Sequence, residues 1–95
     1  MAKDALILYV RPNGLGVSRA GVSVARGAGT AVRRNRLRRR VREALRLEQA
    51  RVAGGFDLVL VPRAPAVGAR FDTLRSAVRD LLAQAGVARA DGEES

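Results

Sequence analysis

From Ala31 to about Val52 the apolar residues recur at helical spacing inside the most basic stretch of the chain. At about 100° per residue, Leu37, Val41, Ala44 and Leu45 fall on one stripe. Asn35, Arg38, Arg39, Arg42 and Arg46 gather opposite it, with Arg36 and Arg40 on the flank. Such a helix can bury one side only, so a flat apolar layer must cover that side.

The flanking segments supply the layer. "ALILYVR" (Ala5 to Arg11) and "FDLVLVPR" (Phe56 to Arg63) are apolar and rich in β-formers, the second apolar enough to be a central strand. "RAGVSVAR" (Arg19 to Arg26) alternates, with Ala20, Val22 and Val24 on the face expected to be buried. "PNGLG" (Pro12 to Gly16) is a turn signal, so the first two strands are expected to form a hairpin. After the loop "APAVGA", the residues Leu74, Val78, Leu81, Leu82 and Ala85 mark a second helix that stops at Gly86. The order ββαβα predicts an α+β fold, a small two-layer sandwich with a mixed sheet. Residues 1–86 are expected to make one domain and residues 87–95 an acidic, disordered tail. The link between the second and third strands is long enough for a parallel crossover, which general rules make right-handed.

Charge decides the class of partner. The chain carries 18 basic and 9 acidic residues, a net charge of +9. Nine arginines against one acid lie between Arg26 and Arg46, so that segment alone holds +8. This is a local electrostatic footprint, the mark of a polyanion-binding surface. Without His or Cys the chain lacks the commonest general base and the soft metal ligands. Glu43, Asp57 and Asp72 are scattered carboxylates, read as a helix pair with Arg39, a strand edge and a helix cap. No catalytic residue and no metal ligand is assigned to the protein. No apolar run approaches a membrane span, and the N-terminal residues lack the layout of a signal peptide, so a cytoplasmic protein is expected.

A merely solvated helix face would interleave acids with bases. Here Arg34–Arg38, Arg36–Arg40, Arg38–Arg42 and Arg42–Arg46 are like-charge pairs, each costing roughly 0.2–0.5 kcal/mol in an isolated helix. Arg33 and Arg34 occupy the first turn, where the helix dipole favours anions. A phosphate docked there would meet backbone donors and guanidiniums together. Asn35 is the uncharged member of the run; its amide either reads a base edge or sugar hydroxyl, or closes a local hydrogen bond. "RGAGTAV" lacks the ending and spacing of a nucleotide-binding loop.

The segment "GTAVRRNRLRRRVRE", Gly29 to Glu43, resembles the signature of the bacterial ribonuclease P protein subunit: Gly, Ala-Val, Arg-Asn-Arg, two basic residues, then Arg-Glu. "LILYVRP", "RAGVSVAR", "GFDLVLVPRAPA" and the segment from Phe71 to Ala85 are similar to its strands and last helix, in register, over about residues 5 to 86. The resemblance implies a subunit of an endonuclease that removes the 5′ leader of precursor tRNA, with catalysis by magnesium ions held on the RNA component. It implies RNA contacts for Arg34, Asn35, Arg36, Arg38, Arg39 and Arg42, to which the charge of the first turn and of the outer face adds Arg33 and Arg46, and a left-handed strand–helix–strand crossover in place of the usual hand. It places Tyr9 and Arg26 at the single-stranded leader; Gly27 stands where many relatives have a second basic residue. Relatives carry a helix ahead of the first strand, whereas here that strand starts near Ala5, so the helix is expected to be missing. A structural RNA-binding protein of ribosomal type is the alternative, and a DNA-binding regulator ranks below it.

Overall fold

The computed structural model describes residues 1–3 and 5–87. Four strands, β1 (Ala2–Lys3), β2 (Leu6–Pro12), β3 (Arg19–Val22) and β4 (Phe56–Pro62), form a mixed sheet in the order β1-β2-β4-β3. Helix α1 (Ala31–Glu48) lies between β3 and β4 in sequence, and α2 (Phe71–Gln84) follows β4. The α+β class, the central placement of β4 and the parallel β3–β4 pair agree with the sequence reading.

The expected hairpin does not form. β4 pairs antiparallel with β2 from Leu6↔Pro62 to Pro12↔Phe56, and parallel with β3 from Arg19↔Asp57 to Val22↔Leu60. The Pro12–Gly16 turn therefore carries the chain past the end of β4 instead of into its neighbour. A strand apolar on both faces is most stable with a partner on each edge, and β4 is that strand. β1 is a further correction, since Ala2↔Ile7 and Lys3↔Leu6 extend the sheet ahead of the first predicted strand.

β3 ends at Val22, short of the predicted Arg26, although the Ser23 and Ala25 amides still donate to the Leu60 and Pro62 carbonyls at 2.9 and 3.5 Å. Its inward face is buried at Val24, half-buried at Val22 and exposed at Ala20, because an edge strand receives cover from one side only. Where the chain passes from α1 into β4 it runs tightly against the β2–β3 turn: a Cβ at Gly54 would collide with the Gly16 carbonyl oxygen. Ser18 ties the same place, its Oγ donating to the Ala53 carbonyl at 2.6 Å and accepting from the Phe56 amide at 3.0 Å.

One core joins the layers. Leu6, Leu8, Leu58 and Leu60 from the sheet meet Leu37, Val41, Ala44 and Leu45 of α1 and Leu74, Ala77, Val78, Leu81 and Leu82 of α2. Each large side chain buried there contributes about 1.5–3 kcal/mol of transfer free energy. Val87, placed in the tail by the sequence reading, belongs to this core; it is 1% exposed and its carbonyl accepts from the Ala53 amide at 2.8 Å. The remainder of the proposed tail, residues 88–95, lies outside the described residues.

α1 stops at Glu48 and the chain continues as a single 3₁₀ turn, Gln49–Arg51, rather than as α-helix to Val52. Glu48 extends the apolar stripe by one more turn and is fully buried. Its carboxylate accepts from Arg75 Nε at 2.7 Å and from Arg79 Nε and Nη2 at 3.0 and 3.1 Å, and lies 3.3 Å from Arg51 Nε. Arg79 and then Arg75 hold its pKa down at about 2 against the opposing effect of burial. A depressed carboxylate stabilises the fold fully above its unfolded pKa of about 4.5 and loses that contribution as pH falls through about 2. Glu48→Ala should therefore destabilise the fold by roughly 2 kcal/mol at pH 7, discounted because its arginine partners are partly exposed. The difference from wild type should narrow as pH drops from about 4.5 toward about 2, which urea unfolding across that range will show.

Candidate nucleic-acid interface

The stripe that packs α1 onto the sheet determines where its arginines go. With Leu37, Val41, Ala44 and Leu45 buried, Arg33, Arg36, Arg39, Arg42 and Arg46 are exposed along the outer side, and Arg38 is half-buried beside them. Thr30 caps the helix by accepting from the Arg33 amide at 3.3 Å, and no acid stands in the first turn. The helix thus begins with two arginines beside its own free amides. Arg34 turns partly inward; its Nε is out of solvent and has no hydrogen-bond partner among the described residues, a condition that costs about 1–3 kcal/mol for a buried donor.

Asn35 follows the local reading in this structure, its Oδ1 accepting from Arg38 Nη1 at 2.7 Å. Glu43 pairs with Arg46, whose Nε and Nη2 donate to it at 2.8 and 2.6 Å; the pair expected from sequence was with Arg39. The Arg46 hydrogen bond keeps the Glu43 carboxyl below its ordinary range. Arg40 reaches the other way and donates from Nη2 to the Ala69 carbonyl at 2.7 Å. Asp72 lies in the first turn of α2 but does not cap it; the N-cap residue is Arg70, with no side-chain cap.

Two grooves run beside the arginine ridge. One, of about 350 Å³, separates α1 from β3 and is lined by Arg42, Arg46, Gln49 and the Ser18–Val22 segment. The other, of about 360 Å³, lies on the α2 side among Arg36, Arg39, Arg40, Glu43 and Phe71. Sequence spacing gave no sign of either, because each needs a partner element brought in by the fold.

Tyr9 belongs to a different surface. Strand register puts it on the sheet face away from the buried leucines, with Val59 and Gly21 in its row, and it is 59% exposed. A shallow hollow of about 220 Å³ there is lined by Tyr9, Val10, Arg11, Asp57 and Val59. Arg26 sits beyond the end of β3, in the 3₁₀ turn Arg26–Ala28. Ala25 is level with Pro62, three residues along β4 from the Tyr9 row, so Arg26 is displaced from Tyr9 by about 10 Å or more along the strand direction. The structure therefore assembles the α1 residues into one surface and leaves Tyr9 and Arg26 as separate points.

The profile of the ribonuclease P family matches residues 1–86. The chain belongs to that family. The ribonuclease P protein component of Roseiflexus castenholzii is 47% identical over 83 residues, covering 86% of this chain and 68% of the relative. That of Caldanaerobacter subterraneus subsp. tengcongensis is 39% identical over 82 residues, covering 86% and 71%. Among solved structures, the RNase P protein of Thermotoga maritima aligns with a TM-score of 0.79 at 34% identity, over 88% of this chain and 80% of that one. The Staphylococcus aureus RNase P protein shares the fold, with a TM-score of 0.80 at 24% identity.

On the open face of the sheet the Asp57 carboxylate is committed to cations. Across three strands, Arg19 donates from Nε and Nη2 to Asp57 at 2.9 Å each, Asn13 Nδ2 donates at 3.0 Å, and Arg11 lies 3.5 Å away. The Arg19 and Asn13 hydrogen bonds hold the Asp57 carboxyl far below its usual range. Among the described residues, no three acids converge on a metal-binding cluster, and no helix is long and apolar enough to cross a membrane. The Asp57 carboxyl carbon should accordingly still report an ionised group near pH 3.9, where a free aspartate is half-protonated. Arg19→Ala should move that NMR midpoint upward; an unchanged midpoint would contradict the assignment.

Proposed function

We propose that this chain, as the protein subunit of ribonuclease P, grips the catalytic RNA with the arginine face of α1 and meets the 5′ leader of precursor tRNA on the open sheet face at Tyr9. The observation that carries this reading is the concentration of charge on one helix face whose opposite stripe is locked into the core. Because the backbone of α1 is fixed by packing, Arg33, Arg34, Arg36, Arg38, Arg39, Arg42 and Arg46 are presented as an ordered array, with Asn35 among them. Phosphates recover the energy that the like-charge pairs cost the free protein. Tyr9 offers a ring on which an unpaired leader base can stack irrespective of sequence, and Arg26 offers a phosphate contact farther along the same path.

Hydrolysis is assigned to the RNA. Magnesium ions would there activate water and neutralise the scissile phosphate. Among the described residues no three acids gather as a metal site, and Glu43, Glu48 and Asp57 are each paired with arginine. The protein's part is to bind, orient and screen charge. A ribosomal-type structural role shares the basic helix, but the family match over residues 1–86 favours the processing subunit. The protein is assigned to the cytoplasm, with its RNA substrates.

If about six arginines neutralise phosphates, affinity for the catalytic RNA should fall roughly a thousandfold between 50 and 200 mM salt. Arg38→Ala or Arg42→Ala should each lower the log–log slope by roughly 0.7–0.9. A wild-type slope near −1 would contradict the ridge as the binding surface. Purified protein with magnesium should leave precursor tRNA intact, whereas protein with its RNA should cleave it over many turnovers. Cleavage that persists in nuclease-treated, repurified protein would return catalysis to the polypeptide.

A further inference from the structure

Of the two grooves beside the arginine ridge, only the one on the α2 side is walled by an aromatic ring among the described residues. Arg36, Arg39, Arg40 and Glu43 stand at positions i, i+3, i+4 and i+7 of α1, one flank about 10 Å long. Phe71, the first residue of α2, faces them; it is half-buried, partly packed against the core and partly lining the groove. The Arg40 guanidinium is held across the gap by the Ala69 carbonyl, so this wall does not collapse. Arg36 and Arg39 are exposed, and their side chains make no ion pair or hydrogen bond among the described residues. A volume of about 360 Å³ falls in the small-ligand range of about 300–1,000 Å³.

The chemistry of this groove differs from that of the ridge. Guanidiniums alone answer any polyanion, but a ring and a flat guanidinium facing one cleft suit a planar heterocycle. A paired base has both faces covered by its neighbours and cannot enter. Glu43 closes one end of the flank with its carboxylate already paired to Arg46, so the strand's phosphates belong at Arg36 and Arg39, whose guanidiniums have no acidic partner among the described residues.

We infer that this groove holds one unstacked base of the bound RNA, stacked on Phe71, with the neighbouring phosphates on Arg36 and Arg39. The inference rests on the RNA-binding reading of α1 and adds to it a pocket for an unpaired nucleotide. The base comes from the catalytic RNA or from precursor tRNA, and the test separates the two.

The chain contains no Trp, so Phe71→Trp places a single indole at the groove. Its fluorescence is titrated with the catalytic RNA, with precursor tRNA and with a blunt, fully paired RNA duplex, while binding is followed independently by filter retention. Quenching is expected with at least one of the first two and not with bound duplex; whichever RNA quenches supplies the base. Phe71→Leu, which keeps an apolar side chain against the core, should weaken binding of that RNA by roughly 5- to 100-fold with an unchanged salt slope. Arg36→Gln should instead lower the slope by about 0.7–0.9.

Bound RNA without quenching, equal quenching by duplex, or a folded Phe71→Leu variant of undiminished affinity would each overturn the pocket while leaving the ridge reading intact. Should Phe71→Leu fail to fold by its thermal melt, the tryptophan titration decides alone. Failure of wild-type protein to bind either RNA would remove the ridge reading and the pocket with it.

Discussion

Everything on the outer side of α1 depends on how firmly its inner side is held. A helix carrying Arg–Arg neighbours at i,i+4 has little reason to form in isolation. The stripe from Leu37 to Leu45 provides the compensating burial, and Glu48 adds an electrostatic anchor at its C-terminal end. The anchor is asymmetric. One buried carboxylate of α1 is served by two arginines of α2 that remain partly in water, so the desolvation cost falls mainly on one group. Through this anchor α2 keeps the orientation of its neighbour constant.

The sheet divides the protein into two chemical surfaces. On one side are the helices and their arginines; on the other are Tyr9, Val59 and the Arg11–Asp57–Arg19 row. The row neutralises Asp57 and leaves the Arg11 guanidinium at the margin of the Tyr9 hollow. A single subunit can therefore face the catalytic RNA with a rigid helix and the substrate with a strand surface, the division of labour proposed above for the ribonuclease P holoenzyme.

How legible this was in the sequence depended on range. The α1 stripe and the central β4 were visible because each is a periodic or compositional pattern within one element. The strand order was not, since "PNGLG" signals that the chain turns without saying which strand it turns toward. Glu48 was visible as a stripe position: it follows Ala44 by four residues and Leu45 by three, so it continues the apolar stripe. Its partners, 27 and 31 residues away, were invisible until α2 was placed. Family resemblance supplied the proposed RNA contacts of α1, while the facing of Phe71 and the Arg40–Ala69 link emerged only once the helices were side by side.

The like-charge ladder on α1 also makes the partner a component of the subunit's own stability. Any ligand that binds the folded chain and not the unfolded one shifts the folding equilibrium toward the native state by mass action. An RNA docked on this ladder, as proposed above, would also remove a repulsion present in the free state, and folding and assembly would be linked through the same arginines. Subunits made in excess of their RNA would remain in the less stable form, more open to transient unfolding and to proteolysis. The number of protein copies would then track the supply of RNA without any dedicated control.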